Sequence, residues 1–151
     1  MSIFGGFGVF PPLCGRFWRI CPCDILAGVK PLVAGMDHFQ IAAPVGCEAA
    51  AREFYGSILG MEEIEKPPVL RARGGCWFRC GREQLHIGVE REFRPAKKAH
   101  PAFAVVDLDE LRQALNARGI RTVNDDALPD TRRFYAEDPW GNRLEFVESL
   151  K

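Results

Sequence analysis

The sequence predicts an α+β fold made of paired βαβββ modules. Three observations carry this expectation. The order strand–helix–strand–strand–strand occurs twice after Met36. The helix of each copy runs into a glycine, Gly60 in the first and Gly119 in the second. The chain has three histidines, and these fall with one glutamate on the first and last strands of the two copies.

The first module, residues 37–90, opens on the strand Asp37–Ala43. A helix is expected over Cys47–Leu59, where Ala50, Phe54, Ile58 and Leu59 form an apolar stripe at spacings of three and four. Gly60 stops it. Short strands follow near Glu62–Glu65, Cys76–Arg79 and Gln84–Val89, with turns at Gly74-Gly75 and Gly81-Arg82.

The second module, residues 98–148, repeats the order. Ala102–Val106 reads as a strand. Asp107 or Asp109 can cap a helix over Leu108–Arg118, with Leu108, Leu111 and Leu115 on one face. Strands are expected at Arg121–Val123, Arg133–Ala136 and Arg143–Val147. Asp138-Pro139-Trp140-Gly141-Asn142 forms the last turn, in which Gly141 or Asn142 can take a positive φ.

Residues 1–35 differ from the rest. They are rich in Phe, Gly, Pro and Cys and have no steady period. Arg16, Arg19, Asp24 and Lys30 break any secretory apolar run. These residues read as a poorly ordered extension, or as the product of a misassigned start with Met36 as the natural one. The domain proper is then 36–151.

Composition narrows the function classes. The 151 residues carry 20 basic and 20 acidic side chains and a net charge of zero. A nucleic-acid partner is not expected, because binding to phosphates draws on a basic face. Nor is a membrane span expected, because no window approaches roughly 20 uncharged apolar residues. The cysteines are Cys14, Cys21, Cys23, Cys47, Cys76 and Cys80. Cys21-Pro22-Cys23 is one residue short of the usual CxxC motif. Cys76 and Cys80 would share a strand face too far apart for a disulfide. Free, buried thiols in a cytoplasmic protein are expected.

The chemistry lies in His38, His86, His100 and Glu145. Side chains alternate along a strand. His86 therefore points away from Leu85 and Ile87, and Glu145 away from Leu144 and Phe146. Two modules related by a pseudo-twofold would bring the four positions to one centre. Three imidazoles and a carboxylate suit a divalent Zn, Ni, Fe, Mn or Co ion. Each histidine taken singly is more simply a hydrogen-bonded strand residue, and Glu145 could pair with Arg143. Arg94, Lys97, Lys98, Arg132 and Arg133 read either as solvated charges or as anchors for an anionic substrate. Trp77, Phe78, Phe103, Phe134, Tyr135 and Trp140 could line a cavity.

The runs Asp37-His38-Phe39-Gln40-Ile41-Ala42, Phe54-Tyr55-Gly56-Ser57-Ile58-Leu59-Gly60-Met61 and Asp138-Pro139-Trp140-Gly141-Asn142-Arg143-Leu144-Glu145 resemble the glyoxalase/bleomycin resistance protein/dioxygenase (vicinal oxygen chelate) superfamily. The resemblance covers Met36 to Glu148. It implies a U-shaped, partly open mixed-sheet barrel around a metal. His38, His100 and Glu145 match the two-His, one-carboxylate ligand positions of some members. His86 matches a fourth ligand position, which glyoxalase I fills with a glutamate that moves the substrate's proton. The resemblance also implies a homodimer, and some members build the site from both chains.

The expected function is a metal-dependent, glyoxalase-like enzyme acting on a small vicinal-oxygen substrate by lyase or isomerase-type chemistry. Its metal ligands would be His38, His86, His100 and Glu145. Glu145 or His86 would be the catalytic base. Arg133, Tyr135 and Trp77 would contact substrate. The rivals are an extradiol-type dioxygenase and a metal-free, ligand-sequestering protein of the bleomycin-resistance type.

Overall fold

A computed structural model describes residues 31–149. The chain divides into two units, Met1–Ala34 and Gly35–Lys151. The expected N-terminal extension falls almost wholly outside the described residues, as do Cys14, Cys21 and Cys23.

Gly35–Lys151 contains the two modules. Strand β1 (His38–Ala43) leads into helix α1, which starts as an α-helical turn at Glu48–Ala51 and continues as a π-helix over Arg52–Ile58. Strand β2 (Glu63–Ile64), the short helix α2 (Pro68–Arg71), β3 (Trp77–Cys80) and β4 (Glu83–Val89) complete the module. The second contains β5 (Ala102–Ala104), α3 (Leu108–Asn116), β6 (Val123–Asn124), β7 (Thr131–Glu137) and β8 (Arg143–Ser149).

The sheets have matching topology, β1-β4-β3-β2 and β5-β8-β7-β6. In each, the first strand runs parallel to the last, and the remaining neighbours are antiparallel. Two open, mixed four-stranded sheets with few helices are therefore present, as the repeat predicted.

The π-helix is the main departure from the expected stripe. The Leu59 amide donates to the Phe54 carbonyl at 3.0 Å, one residue beyond α-helical spacing. The widened turn lets the adjacent Phe54 and Tyr55 both enter the core, together with Ala51. Ala50, Ile58 and Leu59 are only half-buried. Helix α2 had no counterpart in the sequence reading: Pro67-Pro68 hides a four-residue turn too short for periodicity to register. Asp107, not Asp109, caps α3, its carboxylate accepting from the Glu110 amide at 2.9 Å. In the last turn, Gly141 takes the positive φ, at 87°.

Alternation sets what each sheet buries. Ile41, Ala43, Phe78, Leu85 and Ile87 face the helices in the first module. Phe103, Phe134, Ala136, Leu144 and Phe146 do so in the second. All belong to one core, and Phe39 meets Phe103 across the modules with ring centroids 5.7 Å apart. Cys47 and Cys76 are buried free thiols, and Cys80 is a half-buried one. Burial pushes the Cys76 thiol up to about 11, so it stays protonated and unreactive at neutral pH.

A polar bridge also crosses the modules. The Tyr55 hydroxyl donates to Asp138 Oδ2 at 3.1 Å. Asn142 Nδ2 donates to the same oxygen at 2.7 Å and to the Ala42 carbonyl at 2.9 Å. Asn142 Oδ1 accepts from the Ala96 amide at 2.9 Å. Asp138 and Asn142 are both buried, so this network ties β1, α1, the linker and the last turn together in a water-poor setting.

Candidate metal centre

The register places the four proposed ligands at equivalent points. Gln40 of β1 lies opposite His86 of β4, and Ala102 of β5 lies opposite Glu145 of β8. His38 stands two residues before Gln40, and His100 two before Ala102. His38 thus corresponds to His100, and His86 to Glu145. Across the other side of the last strand, Trp77 faces His86 and Tyr135 faces Glu145.

Within each module the two candidates touch. The rings of His38 and His86 stack with centroids 4.3 Å apart, and His86 lies flat on Trp77 at 3.8 Å with planes 6° apart. His86 is buried and His38 exposed. Burial, then the neighbouring His38 charge, lowers the His86 pKa and keeps its imidazole neutral. Its Nε2 lies 3.0 Å from Gln84 Oε1. His38 Nδ1 lies 2.7 Å from Asp37 Oδ1, which leaves Nε2 as its free nitrogen.

In the second module, His100 Nε2 lies 3.1 Å from Glu145 Oε2. Nδ1 of the same ring lies 2.8 Å from the Lys98 carbonyl, which can only accept. A neutral His100 therefore carries its proton on Nδ1, and its Nε2 lone pair points at a carboxylate oxygen. In the imidazolium form the same contact is an ion pair, whereas in the neutral form two lone pairs converge there. A divalent cation between them would relieve that contact, and the backbone carbonyl on the far nitrogen is the usual way such a ligand is oriented. The donor set, imidazoles with a carboxylate, fits a transition-metal ion.

Arg133 supports Glu145. Its Nη1 donates to Glu145 Oε1 at 2.9 Å and its Nη2 to Asp125 Oδ2 at 2.9 Å. Glu145 is thus paired with Arg133, its diagonal neighbour across β7 and β8, and not with Arg143 two residues along its own strand. The Arg143 guanidinium carbon instead sits over the Tyr135 ring, 3.8 Å from its centroid, and His100 meets the same ring edge-on at 5.5 Å. Sequence reasoning missed the supporting residues Asp125 and Gln84. Alternation could have found Gln84, which shares a face with His86, but nothing local marks Asp125.

The structure thus brings His38 to His86 and His100 to Glu145. Among the described residues, no three His, Cys, Asp or Glu side chains converge on one point. A cavity of about 870 Å³ lies between β1 and β5, bordered by Phe39, Gln40, His100, Ala102, Phe103 and Arg143 among others.

A glyoxalase family protein from Bacillus anthracis is 56% identical, with a TM-score of 0.77 over 80% of this chain and 99% of that one. The fold is shared with a lactoylglutathione lyase from Agrobacterium tumefaciens (23% identity, TM-score 0.60, 78% of this chain and 96% of that one). It is also shared with a fosfomycin resistance protein from Listeria monocytogenes (17% identity, TM-score 0.63, 78% and 95%). No curated protein matches the chain. The family model for the Glyoxalase/Bleomycin resistance protein/Dioxygenase superfamily matches residues 35–146, and the chain belongs to that superfamily.

Proposed function

We propose that this chain is a metal-dependent, glyoxalase-like enzyme whose ion is held by His38, His86, His100 and Glu145. The observation that carries the reading is the His100–Glu145 contact. His100 Nε2 and a Glu145 carboxylate oxygen meet at 3.1 Å, with Nδ1 of the same ring 2.8 Å from a backbone carbonyl. When bound, the ion would supply Lewis acidity to two neighbouring oxygens of a small substrate. The chain's own groups would do the rest. Arg133 holds Glu145 in place, and Trp77 and Tyr135 wall the site on either module. Either His86, kept neutral by burial, or Glu145 would, when displaced from the ion, take a proton from the carbon beside the polarised oxygen, giving lyase or isomerase-type chemistry. The lactoylglutathione lyase of like fold is consistent with this class of reaction.

The ligands form two separate pairs, so we infer a homodimer in which each site joins His38 and His86 of one copy to His100 and Glu145 of the other. No helix among the described residues is long and apolar enough to cross a membrane, and we place the protein in the cytoplasm.

One observation favours the sequestering alternative. His38, His86 and Trp77 form a continuous aromatic stack on which a planar drug could lie. Metal content separates the two. Protein purified without added metal should carry near-stoichiometric transition metal, lost in His100→Ala and in Glu145→Ala. Folded protein that stays empty and takes up no added Ni²⁺, Zn²⁺, Mn²⁺, Fe²⁺ or Co²⁺ would overturn the enzyme reading.

A further inference from the structure

Most arginines on the strands and helices around the site are already committed to carboxylates. Arg52 pairs with Glu63, Arg79 with Glu62, Arg132 with Asp109 and Glu148, and Arg133 with Asp125 and Glu145. Arg143 has no carboxylate partner among the described residues. The carboxylate opposite it across the strands is Glu137, and Glu137 Oε1 is taken by Lys97 Nζ at 2.7 Å. The guanidinium carbon of Arg143 sits over the Tyr135 ring, 3.8 Å from its centroid, a contact that leaves its N–H groups free to donate elsewhere.

Its place in the duplication sharpens the point. Arg143 lies two residues before Glu145, as Gln84 lies two before His86. Gln84 spends its amide oxygen on His86 Nε2. At the equivalent place the second module carries a cation that serves neither Glu145 nor any other acid among the described residues. By alternation, Arg143, Glu145 and Val147 share one face of β8. Arg143 also borders a cleft of about 540 Å³, whose walls carry Lys97, Arg121 and Tyr135 and the acids Glu137 and Asp138, with Lys97 paired to Glu137. A half-buried, uncommitted guanidinium set over Tyr135, on the same strand face as Glu145, can receive a planar oxyanion in bidentate fashion.

We propose that Arg143 is the anion-recognising residue of this site, and that the substrate carries a carboxylate beside its vicinal oxygens. This rests on the metalloenzyme reading for the vicinal oxygens, but not for the anion contact itself. Arg143 sets specificity by leaving a half-buried charge unpaired when the substrate lacks that carboxylate.

The test compares malate with its C4 amide. Both present the same 2-hydroxy acid end for chelation and differ only at the far group. Binding to the full chain is measured by calorimetry, with and without added Co²⁺, for wild type, Arg143→Gln and Arg143→Lys. The wild type should prefer malate by about tenfold or more, Arg143→Gln should abolish the preference, and Arg143→Lys should keep part of it. An unchanged preference in Arg143→Gln overturns the inference, as does failure of both compounds to bind wild type at millimolar concentration. Wild type that takes up no Co²⁺ but shows the Arg143-dependent preference would keep the anion site and overturn the metalloenzyme reading. Co²⁺ uptake without that preference would do the reverse.

Discussion

Trp77 and Tyr135 occupy the same place in the two modules. Each lies directly opposite a proposed ligand on the neighbouring last strand, Trp77 across from His86 and Tyr135 across from Glu145. In each case an aromatic ring also meets a histidine, by stacking on His86 and edge-to-face with His100. The duplication therefore extends beyond topology to the walls of the site. What differs is charge. The first module offers two imidazoles, and the second offers an imidazole, a carboxylate and two guanidinium groups.

Arg133 is the support on which Glu145 depends. It bridges Glu145 Oε1 and Asp125 Oδ2, which leaves Oε2 facing His100. Arg133→Met should weaken metal binding by about 10- to 100-fold, the usual effect of losing a ligand's hydrogen-bond partner. Competition with a chromophoric chelator checks this. Unchanged affinity would show that Glu145 needs no such anchor.

Asn142 closes the inter-module network with both its amide nitrogen and its oxygen. Asn142→Ala would orphan the Ala96 amide and the Ala42 carbonyl and remove a donor from Asp138. A loss of about 3 kcal/mol in urea unfolding is expected. Tyr55→Phe, which removes one hydrogen bond to Asp138, should cost about 1–2 kcal/mol. Losses near zero in both would mean that water reaches the bridge.

Tyr55 also gives the fold a dependence on alkaline pH. Burial, followed by the nearby Asp138 charge and hydrogen bond, raises its pKa well above the ordinary 10.0. The folded state then holds the Tyr55 proton more tightly than the unfolded chain does. The stabilisation is fully present below pH 10 and is lost as pH rises from there towards the folded-state pKa. Denaturant midpoints for wild type should fall through that range, and Tyr55→Phe should show a flatter profile. Parallel profiles would contradict the assignment.

A site shared between two copies should complement. His38→Ala and His100→Ala, each short of one ligand, should bind metal poorly alone. After unfolding together and refolding as a mixture, heterodimers should regain one intact site each, about one site in four overall. No recovery would place all four ligands in one chain.

Much of this was legible in the sequence. Alternation told that Leu85 and Ile87 turn from His86, and that Leu144 and Phe146 turn from Glu145. Glycines at Gly60, Gly119 and Gly141 marked the breaks. Asp107 was one of two caps offered, and only its distance to the Glu110 amide decides between them. Other features were not legible for physical reasons. The π-helix over Arg52–Ile58 arises because Phe54 and Tyr55 both find room in the core, a tertiary effect on a segment whose local pattern looks α-helical. The pairing of Glu145 with Arg133, and the freedom of Arg143, depend on which side chains meet across β7 and β8. Strand register sets that, and one strand's sequence does not reveal it. The π-stack of His86 on Trp77 has the same origin.

The central claim is that His100 and Glu145 hold a divalent ion. Titrating metal-free protein with Co²⁺ and following visible absorption tests it most directly, because d–d bands report the ligands themselves. The expected result is a band that saturates near one ion per site in wild type and is lost in His100→Ala and in Glu145→Gln. A wild type with no band, or a band that survives both substitutions unchanged, would contradict the account.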